Sequence, residues 1–138
     1  MFPYGKTASN AIAAMSCLAE RYHLYGAKVS SAAIAEDRRI SRPLVAKVLT
    51  ILSQAGLVGG SPGPGGGYFL ARHPSKISLI EVVKLFEKVE SESRCPFGEH
   101  WCGNEDPCPL HDQLVALNNS GARFLVETTL DVFMKENQ

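Results

Sequence analysis

Apolar residues recur along this chain at two different spacings, and the changes between them divide it into short elements. In residues 7–25, Ile12, Met15, Ala19 and Tyr22 fall at helical spacing, and Gly26 is a stop signal. Met15 and Cys17 lie inside that pattern and read as packing residues. Ser30-Ser31 can cap a short helix from Ala32 to about Asp37, and Arg38-Arg39-Ile40 reads as a turn. Ser41 then caps a second helix with Arg42-Pro43 in its first turn, running from Leu44 to Ala55 and stopping at Gly56. Its apolar side is Val45, Val48 and Leu52, flanked by Leu44, Leu49 and Ile51. Arg42, Ala46, Lys47, Thr50, Ser53 and Gln54 stay outside. Two short helices about a tight turn, the second polar and basic outside, form a helix-turn-helix pattern.

Leu57-Val58 and Tyr68-Phe69-Leu70 read as two short strands joined by the Gly/Pro loop 59–67. A hairpin placed directly after a helix-turn-helix is a wing. A phosphate-cradling nucleotide loop does not suit these glycines, because no Gly-Lys-Ser/Thr follows and no helix opens from them. Ser78-Leu79-Ile80-Glu81 is a capping-box pattern that predicts a helix over 79–90. Residues 91–109 are poor in core-forming side chains. Residues 109–136 read as one long helix, with Leu110, Leu114, Leu117, Gly121, Phe124 and Thr128 at alternating spacings of four and three, continued by Leu125, Val132 and Phe133. Such a stripe after a small domain needs a partner, and a second copy would supply one. The expected organisation is therefore a head over 1–90, a cysteine-rich loop over 91–109 and a dimerisation helix over 110–138. The fold class is mainly α with a small β-hairpin: a winged helix-turn-helix domain plus a long C-terminal helix.

With 138 residues and 45% apolar side chains, the chain can build one compact core. No stretch approaches the roughly 20 apolar residues of a membrane span, and Met1 to Lys6 does not resemble a signal peptide, so a soluble cytoplasmic protein is expected. The formal net charge is zero, but residues 1–73 carry eight Lys/Arg against three acids and residues 74–138 carry six against eleven. A basic front half points to a polyanion partner.

Three of the four cysteines crowd into the stretch Cys95-Pro-Phe-Gly-Glu-His-Trp-Cys102-Gly-Asn-Glu-Asp-Pro-Cys108-Pro-Leu-His111. Thiolate and imidazole select iron–sulfur clusters or zinc over magnesium or calcium. With Cys108 as N-cap and Pro109 as first helical residue, Cys108 and His111 would lie one turn apart on one side of the last helix. Three readings fit this spacing: an iron–sulfur cluster on Cys95, Cys102 and Cys108 with His111 as fourth ligand, a structural Cys₃His zinc site, or metal-free thiol switching. Glu99, Glu105, Asp106 and Asp112 add oxygen donors nearby, while His100, His23 and His73 read as loop or surface residues. A cysteine enzyme would need a substrate pocket and an oxyanion site that nothing here marks. A zinc-stabilised interaction module would leave the basic helix and the glycine wing without a purpose.

Asn10-Ala-Ile-Ala-Ala-Met15, Gly56-Leu57-Val58 leading to Gly63-Pro-Gly-Gly-Gly-Tyr68, and Ile77 to Cys95 running into the cysteine triad together resemble the IscR/NsrR/RirA-type family of dimeric winged-helix iron–sulfur regulators. The resemblance covers nearly all of residues 1–136. It implies a transcription factor whose DNA occupancy depends on a cluster. Cys95, Cys102 and Cys108 match the family's cluster cysteines, and His111 matches the histidine ligand of its [2Fe-2S] members. The [4Fe-4S] members borrow a carboxylate from the partner's first helix. This chain has Ser9 and Asn10 in that region and no Asp or Glu before Glu20, which favours [2Fe-2S] over [4Fe-4S]. Other departures are a first cysteine gap one residue longer, Pro62 where a wing arginine stands, and Ala46 in place of an acidic residue. On this reading Ser41, Arg42, Pro43 and Lys47 enter the major groove of a roughly palindromic duplex. Gly63, Gly65, Gly66, Gly67 and Tyr68 form the wing that approaches the backbone or minor groove.

Overall fold

A computed structural model of the chain describes residues 4–22, 28–87 and 108–135. The first helix, α1 (Lys6–Glu20), occupies the middle of the fold. Ala8, Ala11, Ile12, Ala14, Met15, Cys17, Leu18 and Ala19 are all buried, so apolar side chains cover most of its circumference. Helices hydrophobic nearly all round are core helices, and the alanines let neighbours approach closely. The helix stops at Glu20, short of the apolar pattern's span, and residues 23–25 of that span lie outside the described residues. Arg21 and Tyr22 donate their N–H groups to Leu18 and Ala19, a tightened last turn. Tyr22, placed on the apolar stripe by spacing, is 36% exposed and packs edge-on to His73, with ring centroids 5.1 Å apart.

The next helix, α2 (Ser31–Arg38), starts as its capping residues predict. Ser30 Oγ accepts the Ala33 N–H at 3.1 Å. It ends at Arg39 in the left-handed region (φ 55°, ψ 48°), and the Ile40 N–H closes onto the Ala35 carbonyl at 3.0 Å. This reversal returns Ile40 to the core and starts α3 (Arg42–Gln54). Pro43 is the second helical residue, and Ser41 holds the cap position by its extended backbone, without a side-chain cap hydrogen bond. Val45, Val48, Leu49 and Leu52 form the buried side.

The hairpin is longer in strand and shorter in loop than its apolar residues alone suggest. Strand β1 (Val58–Ser61) pairs antiparallel with β2 (Gly67–Leu70), Val58 opposite Leu70 and Ser61 opposite Gly67, which leaves 62–66 as the loop. Glycine makes the extension possible. A Cβ on Gly60 would lie 2.0 Å from the Gly67 carbonyl oxygen, so no other residue fits at this close approach. Val29 pairs with Tyr68 through two backbone hydrogen bonds of 2.9 and 2.8 Å, fixing the root of the wing to the segment before α2.

A 3₁₀ turn over Pro74–Lys76 leads to α4 (Leu79–Val83), opened by a complete capping box between Ser78 and Glu81. The α-helix ends at Val83, well before residue 87, and residues 88–90 of the expected span lie outside the described residues. After Val83, the N–H groups of Leu85 and Phe86 reach back only three residues, and the Glu87 carboxylate accepts the Gly5 N–H, drawing this turn to the start of α1.

The last helix, α5, covers His111–Glu127, within the span 109–136 read as a single helix. Thr128 is extended (φ −95°, ψ 125°), and its carbonyl accepts from Leu79 N–H at 2.9 Å. Leu130 then donates to Ile77 at 2.9 Å, and Leu130–Phe133 forms a 3₁₀ turn packed against α1. Leu125 and Leu130 are buried, whereas Val132 is 65% exposed. The backbone groups of 77–79 thus capture the chain and end the helix. Among the described residues the core is one continuous cluster running from α1 to Leu130.

Candidate nucleic-acid interface and the cysteine–histidine turn

The outward side of α3 presents the positions expected of a recognition helix. Ser41, Arg42, Pro43, Ala46, Lys47 and Thr50 are all exposed. The Thr50 hydroxyl donates to the Ala46 carbonyl at 2.9 Å, leaving the cations of Arg42 and Lys47 as the main charged groups of this face. Neither joins an ion pair among the described residues. A helix N-terminus with no acid in its first turn adds positive potential at the Ser41 end.

In the wing, the five residues Ser61 to Gly65 are exposed, so Gly63 and Gly65 stand at the tip, with φ of 90° and 75° and open space around a Cβ. Gly66 is half-buried, and its N–H closes the loop onto Gly63 at 3.0 Å. Gly67 and Tyr68 are buried at the root, where a Cβ on Gly67 would lie 2.6 Å from Lys28 Cβ. The expected wing residues therefore divide between an exposed tip and a buried hinge.

One arginine of the basic front half is turned inward. Arg38 donates to Glu20 Oε1 at 2.6 Å, to Ser16 Oγ at 3.2 and 3.3 Å, and to the Asp37 carboxylate. Its charge ties α2 to α1 and is spent within the fold. Nothing in the local sequence separates it from Arg39, because Ser16 and Glu20, the partners that draw it inward, lie on another helix.

Cys108 is buried, and His111 is exposed at the first position of α5. The His111 N–H bonds the Cys108 carbonyl at 3.0 Å, so one turn joins them. The helix cap is Leu110, not Cys108 as the Cys-Pro pair suggests. Pro109 lies in the turn before the helix. Cys95, Cys102, His100, His23, Glu99, Glu105 and Asp106 lie outside the described residues. Among the described residues no three metal-ligating side chains come together.

Residues 4–136 match the Rrf2 family, described as an iron-dependent transcriptional regulator. The chain belongs to the Rrf2 family. A protein of Aquifex aeolicus named as an HTH-type transcriptional regulator is 33% identical over 99 residues, covering 70% of this chain and 69% of its own. The HTH-type transcriptional regulator IscR of Xenorhabdus nematophila is 29% identical over 116 residues, covering 84% of this chain and 70% of its own. Among solved structures, T. potens IscR superposes with a TM-score of 0.69 at 25% identity, over 93% of this chain and 83% of that one. The global cysteine regulator CymR of B. subtilis has the same fold, with a TM-score of 0.72 at 22% identity over 96% and 97% of the two chains.

As an Rrf2 protein the chain is a DNA-binding transcriptional regulator and not an enzyme. Its fold is a winged helix-turn-helix, and among the described residues no helix is long and apolar enough to cross a membrane. Within this Rrf2 fold, α5 has one end at the Cys108–His111 turn and the other fastened to the head through Thr128 and Leu130.

Proposed function

We propose that this Rrf2 protein acts in the cytoplasm as a homodimer on a roughly palindromic duplex, with its occupancy set by an iron–sulfur cluster. Residues 1–90 form the DNA-binding head, 91–109 the cluster loop and 110–138 the dimerisation segment. Cys95, Cys102, Cys108 and His111 would hold the cluster, [2Fe-2S] in preference to [4Fe-4S]; zinc is the alternative occupant. A buried thiol and an imidazole one turn apart fit either group, since both take sulfur and nitrogen donors. When bound, the cluster supplies a one-electron couple and a target for oxidants or nitric oxide. Arg42 and Lys47 neutralise phosphates, while Ser41 and Pro43 stand at the groove end of α3. The tip glycines let the wing backbone come close to the duplex.

The observation that carries this reading is the mechanical continuity of α5. Ordering or releasing the 91–109 loop acts on Cys108 and His111, and the Leu79–Thr128 and Ile77–Leu130 hydrogen bonds connect the far end of the same helix to the head. A few kcal/mol of preference between two head arrangements changes occupancy over a hundredfold.

The deciding measurement is an anaerobic absorption spectrum of fresh protein with iron, sulfide and zinc quantified, paired with duplex binding by the same sample. Brown protein with about two iron and two sulfide per chain, whose iron falls in Cys108→Ala and His111→Ala, supports the sensor reading. One zinc per chain and no iron after anaerobic reconstitution removes the cluster. An unchanged salt dependence of duplex binding in Arg42→Ala and Lys47→Ala removes the recognition role of α3.

A further inference from the structure

Arg39 is the only non-glycine residue with a positive φ among the described residues. Elsewhere the chain meets this conformation with glycine, at Gly56, Gly60, Gly63, Gly65 and Gly67. The backbone reversal at 39 is needed, because it closes Ile40 onto Ala35, returns Ile40 to the core and sets the start of α3. The arginine side chain is not needed for that. Glycine adopts the left-handed conformation without the clash that a Cβ brings. The Arg39 side chain is exposed and enters no ion pair or side-chain hydrogen bond among the described residues. Its neighbour Arg38 is the opposite case, bound to Glu20, Asp37 and Ser16.

A strained position that carries a long cation with no use in the fold calls for a use outside it. We infer that Arg39 is a DNA-backbone contact, a guanidinium held in the turn of the helix-turn-helix to neutralise one duplex phosphate beside the groove that α3 enters. The placement suits a phosphate and not a base edge. Arg39 precedes α3 and stands three residues before exposed Arg42, at the end of the helix where the first turn has no acidic residue. Its effect is therefore on affinity and docking register, not on sequence choice. This inference rests on the reading of α3 as the recognition helix and adds a residue to it.

The test compares wild type, Arg39→Gly, Arg39→Lys and Arg42→Ala on a short random-sequence duplex across a salt series, with a thermal midpoint for each. Arg39→Gly relieves the backbone, so its midpoint holds or rises while duplex affinity falls. The slope of log affinity against log salt becomes shallower by about 0.9 per head. Arg39→Lys restores most of the slope. Wild-type affinity and slope in Arg39→Gly overturn the inference, as does a lowered midpoint without a change of slope. A loss in Arg42→Ala with none in Arg39→Gly sinks this assignment alone. No binding by wild type removes the recognition reading and Arg39 with it. Arg39→Asn, which also tolerates the left-handed conformation, repeats the comparison should the glycine variant not fold.

Discussion

Residue by residue, chemistry here depends on what lies across from a side chain. Cys17 is buried in α1, and its Sγ lies 3.6 Å from Asp37 Oδ2, the carboxylate that also accepts from Arg38. Burial pushes the thiol above its ordinary value of 9.0; Arg38 and Arg21 pull it down, and Asp37 pushes it further up. The folded protein therefore holds this proton more tightly than the unfolded chain. The associated stability is complete below the ordinary thiol value and is lost as pH rises from there through the folded value. Urea midpoints measured upward from pH 8 will fall in wild type, and Cys17→Ala will show a shallower fall over the thiol range. An identical fall in both would show that Cys17 does not contribute. Burial shifts half-buried Tyr4 upward too, so a second loss at higher pH persists in the variant. The packing role of Cys17 was legible from its place in an apolar helical pattern. Its link to the helix-turn-helix was not, because Asp37 and Arg38 reach it only when α1 and α2 cross.

At the level of elements, the wing and the end of α5 show where local signals suffice. The Gly/Pro run marks a hairpin, but strand extent depends on cross-strand contact at Gly60. Gly60→Ala drives a Cβ against the Gly67 carbonyl and will cost on the order of 2–3 kcal/mol. Gly63→Ala keeps a positive φ but has open space, and will cost about 1 kcal/mol. Equal losses of thermal midpoint would show that the hairpin register is not as described. Caps at Ser30 and Ser78 were legible because each needs residues only three positions away. The helix ends at Glu20, Val83 and Glu127 were not, since distant backbone or side-chain partners set two of them. Leu130 gives the corresponding test: fully buried against the head, it will cost about 2–4 kcal/mol on substitution by alanine. Val132→Ala, at an exposed site, will leave the denaturation midpoint nearly unchanged. Near-neutral Leu130→Ala would mean that residues after 128 do not dock on the head.

For the whole molecule, the distribution of apolar surface connects fold to assembly. Leu125 is the one buried residue of α5, while Val115, Leu117, Phe124 and Val126 are all at least 41% exposed. That much apolar surface on one helix is what a second copy would cover. Leu117→Asp will convert a dimer to a monomer in sedimentation at micromolar concentration, with helix content retained. An unchanged mass would place the subunit contact elsewhere. Monomeric heads should also lose most of their affinity for a two-headed site, which couples assembly to DNA occupancy.

Local signals in the sequence specify a capped pair of helices, a glycine-built wing, a capping box and the turn from Cys108 to His111 that opens the final helix. Those features follow from backbone preference and side-chain reach over a few residues. The resemblance carried by Gly63 to Tyr68 and the cysteine triad located the family. Tertiary structure decided the rest. It paired Val29 with Tyr68, turned Arg38 inward while leaving Arg39 outside, and ended α5 where Thr128 meets Leu79. Each of these depends on groups far apart in the chain, and hydrogen bonds and burial choose among them only after the core has brought them together.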